Sequence, residues 1–420
     1  MDNCIPFIPT NYKKSLYTRS DGIFSSMAPV LSSPLQETYF KHAAYRPQDI
    51  IQGAISVDEN VKLSFANIER IGNPSTHPSS PSPASVINSI GQLNDLPLEL
   101  LHETLRNLDL QSLSRLSRAS LGTKLVTESL PEYRELLSAA GHIFHILTRT
   151  KTIHLHSVAT LHATLVSDRC KFCLDCYGPF LFLLSAERCC YPCLLFDPSL
   201  RMIPLLMARD CFNLSFGSLK KLPVLRSIPG EYYVEWKVSR KRAIKLTSVR
   251  AAKQFALRLH GSAAAMAAHL KPLEGAVLYQ DPPFYDVHSA ARKNSIYYNW
   301  LLTAPLKRRP AICNLWPSAG TDVPSDDYCG MGSVAFPTLM PTGSEHGIWC
   351  RGCNLRKFTE RRDWLDSGCP RLDLTSCKLW RNQPIKSVRY RARSHSEFLE
   401  HLNHCDFAKA LLEREGVTSA

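Results

Sequence analysis

The chain has 420 residues, of which 44% are hydrophobic, 21% are charged and 15 are cysteines. This composition can build hydrophobic cores, and the length exceeds what one core usually organises, so two or more domains are expected. Lysine and arginine number 50 against 37 aspartates and glutamates, and the net charge of +13 favours an acidic partner such as nucleic acid or an acidic protein face. A solvated helix face is the favoured interpretation of one basic run, Ser239–Gln254, with phosphate binding as the alternative.

The start of the sequence carries no apolar signal segment, and the longest apolar run, Phe180–Leu184, is far too short to span a bilayer. We therefore expect an intracellular protein, in the cytoplasm, the nucleus or both, without a membrane partner. In a reducing compartment, clustered cysteines are more often metal ligands than disulfides.

The sequence divides into three regions that differ in composition and in predicted structure. Residues 1–90 are predicted to be a disordered or linker segment, because the Pro/Ser tract Asn73–Ser85 cannot bury enough apolar area to offset its chain entropy. A small helical domain is expected at 92–137. Residues 138–420 read as a Cys-rich mixed region, so the predicted fold class is α+β.

Dense leucines at helical spacing begin after Gln92. Pro97 suits the first position of a helix, and Asp109 can cap a second helix with its carboxylate. Each helix carries an apolar face, formed by Leu98, Leu101, Leu105 and Leu108 in the first and by Leu110, Leu113 and Leu116 in the second. Two short helices cannot bury this surface against each other, so a partner helix is expected, in this chain or in another protein.

The segment "LPLELLHETLRNLDLQSLSRLSRAS" resembles an F-box. The resemblance implies docking onto the adaptor subunit of a cullin-RING ubiquitin ligase, with an unknown protein substrate held elsewhere and no catalysis by this chain. The partner-binding residues that it implies are Leu96, Pro97, Glu99, Leu100, Leu108 and Leu113. The sequence departs from the family pattern at 119–122, before the third helix of an F-box. A purely internal helical hairpin is the alternative interpretation.

The first cysteine group, "RCKFCLDCYGPFLFLLSAERCCYPC", holds six thiols within 25 residues. Two C-x2-C turns can supply the four ligands of a tetrahedral zinc site. We favour the set Cys173, Cys176, Cys190 and Cys193, because Gly178 follows the first pair and could adopt positive φ, and because Pro192 lies inside the second pair. Cys170 with Cys173 has the same spacing and Cys189 adjoins Cys190, so both remain alternatives.

The region between the two cysteine groups contains two recognisable elements. A strand is predicted through Tyr232–Val238. A helix is predicted to begin after a cap at Thr247 or Ser248 and to end at Gly261. Its apolar stripe is expected to pack in the core.

The second metal-ligand group combines "WCRGC" with "SHSEFLEHLNHC". Ser394 and Glu397 form a capping box that predicts a helix, on which His401 and Cys405 would share one face. The predicted second zinc site is therefore Cys350, Cys353, His401 and Cys405, with His404 as the competing ligand. Cys369 and Cys377, inside the gap, are expected to take no part.

Neither group leaves an open coordination position beside an obvious acid or base, as catalytic zinc would require. Nucleotide-binding and hydrolase motifs are not found in the sequence. The order of an F-box followed by these two Cys/His groups resembles a group of fungal F-box proteins. The favoured interpretation is a non-enzymatic adaptor with two structural zinc ions, and the alternative is a zinc-dependent nucleic-acid-binding or regulatory protein.

Overall fold

The computed structural model describes residues 34–47, 54–55, 88–234, 236–262, 265, 328–355 and 390–416. Helices and short antiparallel strands alternate along these residues, which confirms the predicted mixed α+β class. Within them, no helix combines the length and apolar character needed to cross a membrane. The Pro/Ser tract of the predicted linker lies outside the described residues.

Part of the segment predicted as linker is folded. Helix α1 spans Pro34–Ala43 and leads directly into strand β1, Ala44–Tyr45. Strand β1 pairs in antiparallel register with β12, Trp349–Cys350, about 300 residues further along the chain. The composition of residues 1–90 did not predict that α1 and β1 are folded, because the strand with which β1 pairs is distant in sequence.

The leucine-rich region folds into successive helices. A 3-10 segment, Asn88–Asp95, precedes α2 (Leu98–Asn107) and α3 (Leu110–Leu116). Pro97 directly precedes α2, and the Asp109 carboxylate caps α3 by accepting from the Ser112 amide at 2.9 Å, both as predicted. The next four helices are α4 (Leu121–Ser129), α5 (Pro131–Ala140), α6 (His142–Arg149) and α7 (Val158–Leu165).

Helix α4 begins where the sequence departs from the F-box pattern. A capping box forms its start, in which the Ser120 hydroxyl accepts from the Thr123 amide and the Thr123 hydroxyl accepts from the Ser120 amide. Helix α4 lies against α2, and His102 in α2 forms a 2.9 Å hydrogen bond with Ser129 at the end of α4. A third helix therefore packs on the predicted hairpin within this chain.

The first cysteine group contributes strands β2 (Phe180–Phe182) and β3 (Glu187–Cys189), followed by helix α8 (Tyr191–Phe196). A three-stranded antiparallel sheet places β2 between β3 and β9, Ser333–Ala335. Strands β10 (Thr338–Met340) and β11 (Gly343–Glu345) form a hairpin beyond it.

One main core joins these elements. It contains leucines of α2 and α3, the buried faces of α6 and α7, the cysteine group and β2. Leu113 and Phe180 are both essentially inaccessible to solvent within it. The leucine-rich helices thus share their core with the Cys-rich region; their independence as a domain stays a prediction.

A second core lies in the middle of the chain. A sheet of order β4-β8-β5 supports it, and two helices cover it. These elements are β4 (Met202–Pro204), α9 (Leu205–Phe212), the short α10 (Phe216–Leu219), β5 (Leu225–Arg226), β8 (Lys245–Ser248) and α11 (Val249–His260). Ser248 caps the start of α11, where its hydroxyl accepts from the Ala251 amide, and Gly261 caps the end with φ 82°, as predicted.

The predicted strand Tyr232–Val238 is in fact a hairpin. Strands β6 (Gly230–Val234) and β7 (Trp236–Arg240) pair in antiparallel register about position 235. The mixture of aromatic, aliphatic and charged residues at 232–238 is compatible with one strand or with two short strands. The residue pattern therefore did not predict that the chain reverses direction between β6 and β7.

A third core gathers the two ends of the described chain. Helices α12 (His395–Leu402) and α13 (Asp406–Arg414) pack with α1, β1 and β12. The Phe40 ring of α1 stacks on Phe398 of α12, with ring centroids 5.4 Å apart. This core surrounds the second metal-ligand group.

Candidate metal centres

Four cysteines of the first group converge in the main core. The thiols of Cys170, Cys173, Cys190 and Cys193 all lie within 4.8 Å of one another and all four residues are buried. The Sγ atoms of Cys173 and Cys190 are 3.9 Å apart. We call this set the first metal centre.

A tight turn positions the first two ligands. The Leu174 amide donates to the Cys170 carbonyl at 2.9 Å, and the Phe172 amide donates to the Cys170 Sγ at 3.4 Å. Leu174 adopts the left-handed conformation, with φ 65°. An amide directed at the sulfur can donate a hydrogen bond to it and so helps to orient it as a metal ligand.

The start of α8 positions the other two ligands. Cys190 is the N-cap of this helix, and its carbonyl accepts from the Leu194 amide at 2.9 Å. Pro192 lies in the first turn, where a backbone N–H would have no partner within the helix, so proline costs no hydrogen bond there. Cys193 follows on that turn, so one helix start brings both sulfurs to the same point.

The four-cysteine set differs from the predicted one by a single residue: Cys170 takes the place of Cys176. Cys176 is buried beside the centre, and its thiol interacts with Cys173 and Cys190 without joining the set. Its sulfur lies 3.7 Å from a carboxylate oxygen of Asp175. Cys189 is also outside the set, because it lies in β3 opposite Phe180.

Gly178 was part of the reason for favouring Cys176, and that reason does not hold. Gly178 does not have positive φ; the left-handed residue of this loop is Leu174. A Cβ atom at position 178 would lie 2.4 Å from Cγ of Arg188, so glycine is required there for space. The turn that wraps the sulfurs is therefore Cys170–Leu174.

Arg188 holds the loop of the first centre against the sheet. Its guanidinium is fully buried and donates to the carbonyls of Thr164, Gly178, Phe336 and Pro337 at distances of 2.6 to 3.2 Å. Burial lowers the pKa of Arg188 to about 10, which still leaves it charged at neutral pH. Sequence reasoning missed this residue because its four partners come from three separate segments.

The thiols of the first centre are electrostatically coupled. Hydrogen bonds from the neighbouring thiols, Cys170 foremost, lower the pKa of Cys173. Desolvation raises the pKa of Cys190 far above its ordinary value. Buried sulfurs this close cannot all carry negative charge unless a cation compensates them, which is what a bound divalent metal supplies.

The second centre contains the four predicted residues. The ligand atoms of Cys350, Cys353, His401 and Cys405 lie within 4.8 Å of one another. The Cys405 sulfur is 3.9 Å from those of Cys350 and Cys353, and Nε2 of His401 is 3.2 Å from the Cys353 sulfur. His404 is exposed and is not part of the set. Cys369 and Cys377 lie outside the described residues.

The elements that present these ligands differ in one respect from the prediction. The capping box of Ser394 and Glu397 starts α12 as expected, but this helix ends at Leu402. His401 occupies its last turn, whereas Cys405 is the N-cap of the next helix. A corner between two helices, and not a shared helix face, brings His401 and Cys405 together.

The second centre is coupled in the same way as the first. Hydrogen bonds from Cys350 and Cys353 lower the pKa of Cys405. Interactions with Cys353 and Cys405, together with desolvation, raise the pKa of Cys350. Negative charge is thus favoured on Cys405 and disfavoured on Cys350, and a bound cation would compensate it on both.

Both centres fit a tetrahedral zinc ion. Zinc–sulfur bonds of about 2.3 Å in a tetrahedron place two sulfur atoms about 3.8 Å apart. The observed separations of 3.9 Å agree with that value. Each set offers four ligand atoms, the number that a tetrahedral zinc ion takes.

The residues assigned to partner binding divide between surface and core. Leu96, Pro97, Glu99 and Leu100 are exposed at the start of α2, with Leu100 at 55% exposure. Leu113 is 1% exposed and belongs to the interior, whereas Leu108 is half-buried and packs against the main core. The assignment of Leu113 to a partner surface is therefore not supported.

Three further exposed leucines lie on α2 and on helix α4, which packs against it. Leu98 follows Pro97 on α2, and Leu121 and Leu125 are one turn apart on the adjacent helix α4. Leu98 and Leu121 are each about half exposed, at 51% and 52%. We call Leu96, Pro97, Leu98, Leu100, Leu121 and Leu125 the leucine face.

Comparison of the chain with family models, with curated proteins and with solved structures found no match.

Proposed function

We propose that this chain is a non-catalytic adaptor that docks through its leucine face onto the adaptor subunit of a cullin-RING ubiquitin ligase. The observation that carries the proposal is the exposure of the leucine face, which includes Leu96, Pro97 and Leu100, three of the positions where the F-box resemblance implies contact. Apolar side chains grouped in this way on neighbouring helices mark a protein-binding surface, because leaving them in water is unfavourable.

Two structural zinc ions complete the proposal. Each ion would cross-link segments that are distant in sequence, as Cys350 and Cys405 are. The ions would stabilise the region that holds a protein substrate and would take no part in chemistry. Closed four-ligand sites support this role, because they leave no position for a reacting water.

The docking proposal is tested with a double variant of the leucine face. Leu96→Ala together with Leu100→Ala removes two exposed side chains and leaves the interior unchanged. We expect adaptor-subunit capture to fall at least tenfold, since each buried leucine contributes about 1.5 to 3 kcal/mol. Co-purification of the two proteins from cells that express both measures the effect.

A matched control uses exposed leucines on other helices. Leu206 in α9 and Leu259 in α11 have exposures of 59% and 54%, and the double change to alanine should leave capture unaltered. Undiminished capture by the leucine-face variant would show that docking occurs elsewhere or not at all. Equal loss in both variants would indicate a general effect of lost apolar surface.

A further inference from the structure

Six exposed cations gather on one surface that the proposed adaptor role does not use. They come from three separate segments and belong to the region where α6 ends and β5 meets β8. The six residues are Arg149, Lys151, Arg226, Lys241, Arg242 and Lys245. We call them the basic face.

Backbone contacts fix their proximity. Arg226 and Lys245 are directly opposite in the antiparallel pair β5–β8. The Arg226 amide donates to the Thr150 carbonyl at 2.9 Å, which places the strand beside Arg149 and Lys151. Lys241 and Arg242 lie in the connection from β7 to β8, and this connection is joined to the end of β5 by the hydrogen bond from the Ser227 amide to the Ile244 carbonyl.

The arrangement is electrostatically unfavourable without an anion. Directly opposite residues of an antiparallel pair have Cβ atoms about 5 Å apart, and like charges there destabilise the pair. In the described residues of 141–155 and 223–248, the only carboxylate is Glu231. None of the six cations has an ion pair with a carboxylate in the described parts of the chain.

The run Ser239–Gln254 is therefore not a solvated helix face. Its first cations lie in the strand and connection that build the basic face, and helix α11 begins only at Val249. Within the helix, Arg250 pairs with Glu187 and Lys253 is buried. Arg250 and Lys253 thus have structural roles, whereas Lys241, Arg242 and Lys245 are exposed before the helix begins.

We propose that the basic face binds the phosphodiester backbone of nucleic acid, independently of base sequence. The basic face offers positive charge to a partner. Among the described residues, the basic face includes none of the exposed large apolar side chains. A protein partner would ordinarily be held by apolar or aromatic anchors at the centre of its interface, and the basic face presents none among these residues. A nucleic-acid backbone needs only positive charge, because closely spaced phosphates meet the cations in any register.

Salt dependence gives the first test. Fluorescence anisotropy of a labelled 20-base-pair DNA duplex, and of single strands of DNA and RNA of the same length, is measured with the full chain. Six phosphate contacts predict an affinity that falls about a thousandfold between 50 and 200 mM salt. Failure to bind any of these oligonucleotides at 50 mM salt would overturn the proposal.

Charge reversal locates the site. Arg226→Glu with Lys245→Glu keeps two like charges opposite each other, so the pairing should be no less stable than in the native chain. Two lost contacts should reduce the salt-induced fall in affinity to about a hundredfold. The matched control, Arg115→Glu with Arg134→Glu, changes the net charge equally at exposed positions outside the basic face.

Three outcomes are decisive. Loss of binding only in the basic-face variant supports the proposal, and equal loss in the control overturns it. Tighter binding of a poly-glutamate peptide than of every oligonucleotide would also overturn it and would assign the surface to an acidic protein. Adaptor capture through the leucine face is independent of all three results, so the two proposals fail separately.

Discussion

A buried thiol beside a four-ligand metal centre raises the question of which sulfurs hold the ion. Cys176 interacts with Cys173 and Cys190, yet the converging set contains Cys170. The amide that donates to the Cys170 sulfur, and the left-handed turn at Leu174, favour Cys170 as the ligand.

Metal content distinguishes the two cysteines. We expect Cys170→Ser to lose one of two zinc ions, because a hydroxyl is a much poorer zinc ligand than a thiolate. Cys176→Ser should keep both ions. The measurement is the zinc-to-protein ratio of each variant purified without chelator, and the opposite pattern would restore Cys176 to the ligand set.

His346 makes stability depend on pH. Burial, assisted by positive charge on Arg46 and His142, lowers the pKa of His346 to about 3, whereas an unfolded histidine titrates near 6.5. Between about pH 3 and 6.5 the unfolded chain therefore binds the additional proton. The stabilising contribution is complete above pH 6.5 and is lost as the pH falls below it.

This residue should account for about 0.8 kcal/mol of stability lost between about pH 7.5 and pH 6. His346→Gln removes the titrating group and should reduce the pH dependence by that amount. Urea unfolding at both pH values, with zinc present, provides the comparison. An unchanged pH dependence in the variant would show that His346 has the same pKa in the folded and unfolded chains.

At the scale of single elements, the leucines of α2 and α3 separate into two classes. Leu113 is buried in the main core, while Leu100 is exposed on the leucine face. Leu113→Ala should cost about 2 to 5 kcal/mol of unfolding free energy through lost burial and a cavity. Leu100→Ala should cost less than about 0.5 kcal/mol. Urea midpoints measure both, and equal costs would contradict the division between core and docking surface.

The second metal centre should determine whether α1 stays packed in the third core. Phe40 stacks on Phe398, and Ala44 pairs with Cys350, a ligand of the second centre. In Cys405→Ser we expect one ion to be lost and α1 to be released, so that trypsin cleaves rapidly after Lys41. The leucine face belongs with the main core, and adaptor capture should persist.

Cys190→Ser is the reciprocal variant, because it removes a ligand of the first centre and leaves the third core intact. Its α1 should stay protected from trypsin. Continued protection of α1 in Cys405→Ser, despite loss of an ion, would show that the third core is stable without metal.

Local hydrogen bonding explains which elements were predictable from the sequence. The caps at Asp109, Ser248 and Ser394 each depend on a residue and an amide three positions away, and all three were confirmed. The α+β class and both cysteine groups also follow from patterns within short segments. Zinc as the bound metal and ligase docking remain predictions.

Long-range packing explains what the sequence could not reveal. Cys170 and Cys176 have identical spacing from Cys173, so spacing cannot decide which of them is the ligand. The ligand set depends on the folded loop, in which the Arg188 side chain occupies the space that a side chain at Gly178 would need. The order of α1 depends on partners about 300 residues away, which no local pattern encodes. The basic face likewise joins Lys151 and Lys245, whose proximity arises only in the folded chain.

At the scale of the whole molecule, stability should depend on metal. Structural zinc sites contribute about 10 to 16 kcal/mol in small peptides, which equals or exceeds the net stability of an ordinary domain. We therefore expect chelation to unfold most of the described chain and to release about two zinc ions. Circular dichroism during EDTA titration, followed by zinc addition, tests this. Native ellipticity with no bound metal would contradict it.

The pairing of β1 with β12 has a consequence during synthesis. Helix α1 leaves the ribosome before the strand and helices that cover it, which are made about 300 to 370 residues later, roughly 15 to 75 s at ordinary translation rates. Throughout that interval the aromatic ring of Phe40 has none of its native neighbours from α12. Nascent chains therefore carry α1 with Phe40 uncovered by α12, and chaperones that bind exposed aromatic side chains should meet it before the last helix is translated.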